Sequence, residues 1–215
     1  MLILALDISS RCTGWAVYDG ISQTLTDYGA ISNYSKCNQK YPFNYLERAE
    51  YMAKSILQLI VKIRPSTLII EETNQSKSRY TQKLLEFVHC LSLYKINVVF
   101  SGSVYYVNTS TWRNKLNVEL TKSSKDNNKK LSKLKQQSKV NGRIDRKRLI
   151  QLKKQAGIKG KVTKKHVAID MVNQQFKLNL KQKDNDIAEA ILLGLAFCKG
   201  VSVCDGKDNG KHKCN

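Results

Sequence analysis

The chain has 215 residues, of which 41% are hydrophobic and 25% charged, so it fits one globular domain with or without a large insertion and excludes a chain disordered throughout. Its formal net charge of +20 at pH 7 predicts a polyanionic partner. No apolar stretch approaches the roughly 18 residues of a membrane span, and the N-terminus lacks the features of a secretion signal. We therefore expect an intracellular protein that does not bind membranes.

The positive charge is concentrated in one segment of the chain. Residues 113–165 contain 19 of the 37 Lys and Arg residues and 3 acidic residues, which gives this segment a charge of +16. Residues 1–112 carry +3 and residues 166–215 carry +1. We interpret the basic segment as a phosphate-contacting surface whose affinity is independent of sequence and falls with salt. The alternative is a lysine-rich helix that is simply solvated.

The hydrophobic pattern of the first half predicts a meander of three antiparallel strands, then helices that alternate with strands. The strands are predicted at 2–6, 15–18, 24–31, 67–70 and 96–100, with 104–107 as a further candidate, and the helices at 43–64 and 80–94. Strands that alternate with helices indicate parallel pairing. The expected fold is therefore α/β, with a mixed five-stranded sheet of three antiparallel strands followed by parallel strands, flanked by helices.

The second half predicts shorter helices around the basic segment. Residues 109–116 begin like a helix that is capped by Thr109 or Ser110. Residues 117–161 are rich in Lys, Asn, Ser and Gln and contain no aromatic residue, which indicates a basic insertion that is partly helical and mobile when free. Two more helices are predicted at 164–176 and 184–197, so the domain extends over 1–198. Residues 199–215 are predicted to form a disordered tail without a core.

Carboxylates follow two of the predicted strands and begin the last helix. Asp7 ends the first strand, Glu71 and Glu72 end the fourth, and Asp186 and Glu189 share one face of the helix. Because the C-terminal ends of parallel strands meet at one sheet edge, we expect these groups to lie together. Such oxygen ligands favour Mg²⁺ or Mn²⁺, and two such ions support phosphodiester hydrolysis. The alternative is that these acids cap a strand and a helix.

A second candidate metal site lies in the tail. Six cysteines are scattered without a CxxC pair, as expected of free thiols in a reducing compartment. Cys204, His212 and Cys214 carry potential ligand atoms, but their spacing fits no common zinc pattern.

Three motifs, LDISSRCTGWAV, LIIEET and DIAEAILLGLA, resemble in order and spacing those of RuvC-type Holliday junction resolvases, and in particular the phage and viral branch of that family. VNTSTWRNKL and GKVTKKHVAIDMVNQQF resemble further segments of that branch. The resemblance covers about residues 1–116 and 157–198, and it implies an RNase H-like fold. The lysine-rich block between these ranges has no counterpart in the compact bacterial enzymes.

The resemblance also implies the site residues. The carboxylates that would bind the metal and act in catalysis are Asp7, Glu71, Asp186 and Glu189. Asp184 is an alternate ligand, and Glu72 is a second alternate that should point to the opposite face of its strand. Lys164 matches a family lysine close to the scissile phosphate. The implied cofactor is Mg²⁺, with Mn²⁺ as a substitute and two ions in the site.

The partners implied are branched DNA and a second copy of the chain. The candidate DNA-binding residues are Arg79, Lys83, Arg113, Lys115, Lys164 and Lys165. Where the bacterial enzyme has a DNA-wedging aromatic residue this chain has Asn74, and Tyr80 is the candidate replacement. A four-way junction has two symmetry-related strands to cut, which implies a two-fold homodimer, and the helix at 80–94 is the candidate interface.

The preferred prediction is a Mg²⁺-dependent, structure-selective endonuclease that resolves Holliday junctions by paired nicks, leaving 5′-phosphate and 3′-hydroxyl ends. The protein would act in a bacterial cytoplasm or in a virus-infected cell. The processes it would serve are DNA recombination, repair or replication. One alternative is an RNase H-like nuclease that acts on RNA–DNA hybrid or flap DNA. Another is a basic DNA-binding scaffold in which the acidic residues are structural.

Overall fold

The computed structural model describes residues 1–33, 39–73, 78–201 and the strand at 204–205. The strands in these ranges are β1 Leu2–Asp7, β2 Cys12–Asp19, β3 Thr24–Ser32, β4 Thr67–Glu71, β5 Ser103–Val107, β6 Lys139–Val140, β7 Arg143–Ile144 and β8 Cys204–Asp205. The helices are α1 Phe43–Ile63, α2 Arg79–Val99, α3 Thr109–Lys115, α4 Lys122–Gln137, α5 Arg146–Gln155, α6 Lys164–Phe176 and α7 Asn185–Cys198. None of the described helices is long and apolar enough to cross a membrane.

Six of the strands form one mixed sheet in the order β3-β2-β1-β4-β5-β8. The first three strands pair antiparallel, and β4 and β5 run parallel to β1. Leu6 lies opposite Ile70 and Glu71 lies opposite Val107, so the C-terminal ends of β1, β4 and β5 share one edge. The predicted mixed sheet is thereby confirmed. The two-residue strand β8, antiparallel to β5, was not predicted.

The central strands are buried on both faces because helices cover each side of the sheet. On one face, Leu4 and Leu68 pack in a core with α1 residues such as Met52 and Ile56. On the other face, the odd-numbered residues of β1 pack in a second core with α3, α6 and α7. Successive side chains of a strand point to opposite faces, so β1 and β4 need apolar residues at nearly every position. Both strands have that composition.

The predicted strand at 96–100 is wrong, because helix α2 continues to Val99. Ile96 is buried and lies eight residues after the buried Val88, so it extends the buried stripe of the helix by two turns. A short β-branched run at a helix end is ambiguous from periodicity alone. The parallel strand expected here is β5, at the position of the further candidate.

The cap of α3 also differs from the prediction. The N-cap residue is Asn108, whose side-chain oxygen accepts a hydrogen bond from the backbone N–H of Ser110 at 2.9 Å. Thr109 therefore lies inside the first turn, and its hydroxyl is directed to Glu71.

The basic insertion contains α4, the hairpin of β6 and β7, and α5, in line with the expected partial helicity. Positive φ angles at Asn141 and Gly142 form the hairpin turn. Within α4 the buried residue is Leu131, whereas α5 has none. The amide side chain of Asn128 ties α4 to the segment before α6 by donating to the Val162 carbonyl at 2.7 Å and accepting from the Val162 N–H at 2.9 Å.

The start of the C-terminal tail is packed, which differs from the prediction of a tail without a core. Val201 is 8% exposed and belongs to the core beside α7. Strand β8 then pairs with Tyr105 and Tyr106 of β5. The rest of the tail, including His212 and Cys214, lies outside the described residues.

Candidate metal and phosphate site

Three carboxylates meet at the C-terminal edge of the sheet. Asp7 ends β1, and Asp186 and Glu189 lie in the first turns of α7. Ligand oxygens from these three residues all lie within 4.8 Å of one another. Glu189 is 3% exposed although it is charged, so its position requires compensation by a partner.

The approach of α7 to the sheet depends on Gly14 of β2, which pairs with Asp7. A Cβ atom at Gly14 would lie 1.9 Å from the carbonyl oxygen of Asp186, so any larger residue would collide with the backbone of α7. A second contact joins β2 to α7: the buried hydroxyl of Tyr18, in β2, donates to the carbonyl of Ile191, in α7, at 2.9 Å. These two contacts fix where Asp186 and Glu189 stand relative to Asp7.

Glu71, at the end of β4, is held by residues of α3. Its carboxylate accepts hydrogen bonds from the Thr109 hydroxyl and from the Trp112 indole N–H, the latter at 3.0 Å. Glu71 is outside the group of three but lines the same cleft, of about 270 Å³, together with Asp7 and Glu189. Because both oxygens have a protein donor, the orientation of Glu71 is set before any ligand arrives.

Two cations face the carboxylates. The Lys165 ammonium lies 3.0 Å from Asp186 Oδ1 and 3.0 Å from Glu189 Oε2. The Arg113 guanidinium forms an ion pair with Glu189 and lies 5.1 Å from the centre of the Trp112 ring. Arg113 belongs to α3 and Lys165 to α6, so two different helices supply positive charge to the same buried Glu189.

The electrostatics of the cleft show an excess of negative charge. Burial raises the pKa of Asp7 well above its usual range, and the charges of Glu71, Glu189 and Asp186 raise it further. Burial also raises the pKa of Glu71, against the hydrogen bond from Thr109 that lowers it. The pKa of Lys165 is raised, since the attraction of Glu189 and Asp186 outweighs the desolvation that works against its charge.

The donor set fits a hard divalent cation. It consists of carboxylate oxygens, which Mg²⁺, Mn²⁺ and Ca²⁺ prefer, and the grouped oxygens can surround one small ion. The raised pKa of Asp7 and the affinity of the cluster for a cation have the same physical origin. Clustered carboxylates repel one another, and either a bound proton or a bound cation relieves that repulsion. The cleft can therefore hold a cation and, beside it, present Lys165 and Arg113 to an anionic group.

Of the four predicted carboxylates, Asp7, Glu71 and Glu189 line the cleft, and Asp186 is grouped with Asp7 and Glu189. The alternate Asp184 accepts a hydrogen bond from the Lys181 backbone N–H at 2.9 Å, which is a capping contact. The alternate Glu72 also lines the cleft, and its exposed side chain accepts from the Asn108 amide at 3.0 Å. The lysine that reaches the carboxylates is Lys165, although its side chain is 48% exposed. Lys164, which is also exposed, forms no ion pair with a residue that the structure describes.

The other predicted DNA-binding residues lie on the surface. Arg79, Lys83 and Lys115 are exposed, and the Lys83 ammonium lies 5.7 Å from the centre of the Tyr41 ring. Tyr80 is 72% exposed at the start of α2. Asn74 lies outside the described residues.

Sequence reasoning missed three residues at this site. Thr109 and Trp112 orient Glu71, and the buried His89 lines the cleft while it bonds to the Ile8 backbone. Burial lowers the pKa of His89 to about 4, so the ring is neutral at pH 7. A tryptophan in a short, capped helix gives a sequence clue, because a buried indole N–H needs an acceptor. No comparable clue marks His89 in the pattern of α2.

No protein-family model matches the chain, and no curated protein is similar to it in sequence. Among solved structures, Thermus thermophilus RuvC matches with a TM-score of 0.55 and 12% identity, over 95% of this chain and 100% of that chain. T. thermophilus RuvC in complex with a Holliday junction substrate matches with a TM-score of 0.50 and 10% identity, over 91% of each chain.

Fowlpox virus resolvase, in complex with its substrate Holliday junction DNA, matches over 93% of this chain and 97% of that chain, with 19% identity and a TM-score of 0.42. This chain has the RNase H-like fold of RuvC.

Proposed function

We propose that this protein is a metal-dependent, structure-selective endonuclease that resolves four-way DNA junctions by paired nicks with 5′-phosphate and 3′-hydroxyl ends. The observation that supports it best is the set of four carboxylates and two cations in one cleft of a RuvC-like fold. The net charge of +20 supports a nucleic-acid substrate. On its motifs we assign the chain to the phage and viral branch, with a nuclease domain over residues 1–198.

The roles of the residues follow from their contacts. Asp7, Glu71, Asp186 and Glu189 would hold Mg²⁺, for which Mn²⁺ substitutes, and we propose two ions. Such ions supply Lewis-acid catalysis for phosphodiester hydrolysis. Thr109 and Trp112 hold Glu71 in place.

The two cations of the cleft would act on the substrate. Lys165 and Arg113 provide positive charge beside the carboxylates, where the phosphate of a bound strand would lie. Lys164 is proposed next to the scissile phosphate, and Arg79, Lys83 and Lys115 at the DNA backbone. These surface lysines and arginines would position the strand without reading its sequence.

The partner proposal is a homodimer on branched DNA. Two active sites related by a two-fold axis suit the two symmetry-related strands of a junction. The outer side of α2 is the proposed interface, since Tyr94 and Val98 are each 68% exposed there. The protein would work inside a bacterial cell or a virus-infected cell.

One observation favours a different function. Asp186 and Glu189 already have cationic partners in Lys165 and Arg113, which would also suit a structural ion-pair cluster in a DNA-binding scaffold. A scaffold of this kind would bind branched DNA without cutting it.

The deciding experiment compares cleavage of a synthetic four-way junction with cleavage of a linear duplex, an RNA–DNA hybrid and a flap, with and without Mg²⁺. We expect Mg²⁺-dependent cleavage of the junction, and loss of more than about 100-fold in Asp7→Asn, since removal of ligand-supporting groups alone costs 10–100-fold. Asp184→Asn is the matched control and should keep its activity, because Asp184 makes a capping contact.

Each alternative predicts its own result in this assay. Equal or better cleavage of the hybrid or flap would favour the RNase H-like alternative. If Asp7→Asn cuts the junction as the parent does, with the same Mg²⁺ dependence, the catalytic assignment is wrong. Tight junction binding without cleavage under any of these conditions would favour the scaffold.

A further inference from the structure

The basic insertion carries positive charge that the rest of the protein does not neutralise. We define the basic arm as residues 122–161, which the structure describes completely and which contain 15 Lys and Arg residues and 2 Asp residues. None of these cations forms an ion pair with a residue that the structure describes. Asp145 is used as the N-cap of α5, where it accepts from the backbone N–H groups of Lys147 and Arg148.

We propose that the basic arm is a second DNA contact, separate from the carboxylate cleft, which grips duplex DNA through its phosphates irrespective of sequence. This inference goes beyond the proposed cleavage reaction and does not require it. The chemistry of the arm suits a polyanion, because its surface charge has no counterpart among the residues that the structure describes.

The side chains of α4 are arranged for a linear array of phosphates. Lys122, Lys125, Lys129 and Lys133 follow at intervals of three and four residues and are all exposed, so they form one stripe. At a rise of about 1.5 Å per residue the stripe is roughly 16 Å long. The buried Leu131 lies on the opposite side of the helix, which directs the stripe away from the protein.

The composition of the arm favours double-stranded over single-stranded nucleic acid. Proteins that hold single strands stack bases on aromatic side chains, and the arm contains no Phe, Tyr or Trp. The lysines and arginines of the arm can instead contact the sugar–phosphate backbone of a duplex, which contributes affinity but does not distinguish between sequences.

Both ends of the arm arise beside the cleft. The chain enters it after α3, which carries Arg113, and leaves it directly before α6, which carries Lys165; both residues contact Glu189. The Asn128–Val162 pair fixes α4 to the segment that leads into α6. A groove of about 560 Å³ lies at this junction, and Lys159, Lys161 and His166 are among its lining residues. Duplex DNA held by the arm would therefore lie next to the cleft.

The test is the salt dependence of duplex binding without divalent ions, so that cleavage has no influence. The test variant is K122Q/K125Q/K129Q/K133Q, measured on two linear duplexes of unrelated sequence. We expect weaker binding to both duplexes and a slope of log K against log salt that is smaller by about 3 to 4, near 0.9 for each lost phosphate contact. Glutamine keeps the helix propensity of lysine, so α4 should remain folded, which circular dichroism checks.

Two control variants make the result specific. K122R/K125R/K129R/K133R keeps the charge and should keep the slope of the parent. K40Q/K62Q/K177Q/K199Q removes the same charge at exposed positions outside the arm, the cleft and α2, and should leave the slope within about one unit.

The proposal would be overturned if K122Q/K125Q/K129Q/K133Q had the salt slope of the parent. It would also be overturned if the control with four substitutions outside the arm lost as much of the slope as the test variant. Tighter binding of the parent to single-stranded RNA or to a polyglutamate than to the duplexes would assign the arm to another partner and would also overturn it. Since no divalent ion is present, a failure of the cleavage proposal leaves this result unaffected, and the reverse also holds.

Discussion

At the scale of single residues, the orientation of Glu71 depends on a buried tryptophan. The Trp112 side chain is fully buried, and its indole N–H reaches Glu71 Oε2 at 3.0 Å. A group that supports a metal ligand is typically worth 10–100-fold in metal affinity or activity. The tryptophan is thus part of the site although it has no charge.

Trp112→Phe should reduce Mg²⁺-dependent junction cleavage by about 10–100-fold, because phenylalanine keeps the aromatic packing and loses the N–H donor. The measurement is the single-turnover cleavage rate as a function of Mg²⁺ concentration. Trp15→Phe is the matched control, since Trp15 packs against Gly29 of β3. An equal loss of cleavage in both variants would indicate a general packing defect and contradict the role assigned to Trp112.

At the scale of secondary-structure elements, β2 and α7 approach each other so closely that no side chain fits at Gly14. The backbone of α7 at Asp186 occupies the space in which a Gly14 side chain would lie. Overpacking of a side chain into a filled interior costs about 1–3 kcal/mol and sometimes more, and here the colliding atoms are backbone.

Gly14→Ala should therefore lower the free energy of unfolding by about 3 kcal/mol or more, or prevent folding, as measured by chemical denaturation. Gly160→Ala is the control, because no atom lies within 4 Å of the added methyl group and the stability should stay nearly unchanged. A stable Gly14→Ala variant with normal cleavage would show that α7 can move away from β2 at little cost.

The sequence predicts the ends of some secondary-structure elements better than the ends of others. The strands that end in Asp7 and Glu71 are predictable because apolar runs in this fold are short and stop at a polar residue. The end of α2 cannot be predicted in this way. Ile96 and its β-branched neighbours suit a helix or a strand, and tertiary packing decides between them.

Within the site, the sequence predicts the carboxylates and leaves their partners open. The spacing of Asp186 and Glu189 places both on one helix face, which α7 confirms. The choice between Lys164 and Lys165 depends on the rotation of α6 against α7. A one-residue shift turns a side chain by about 100°, and no local pattern fixes that rotation.

At the scale of the whole molecule, the cleft stores unfavourable charge that a cation would relieve. Burial and three neighbouring carboxylates raise the pKa of Asp7, so the ionised cleft destabilises the metal-free fold. A ligand that binds the folded state alone stabilises it by mass action.

Mg²⁺ should therefore raise the melting temperature of the chelator-treated protein, with about 2.7 kcal/mol of stabilisation at a hundredfold excess over its Kd. Thermal unfolding at constant ionic strength measures the shift. Asp7→Asn should show a much smaller shift and Asp184→Asn the full one. A shift that is the same in all three proteins would indicate binding elsewhere and contradict the assignment of the cleft.

The four carboxylates come from distant parts of the sequence, which determines when the cleft can assemble during protein synthesis. Asp7 and Glu71 belong to the first third of the sequence, whereas Asp186 and Glu189 arrive on α7, which also covers one face of the sheet. A nascent chain that ends before α7 lacks half of the acidic set and exposes the apolar side chains of β1 and β2. Translation therefore delays assembly of the cleft until α7 has been synthesised, and incomplete translation products lack a complete cleft.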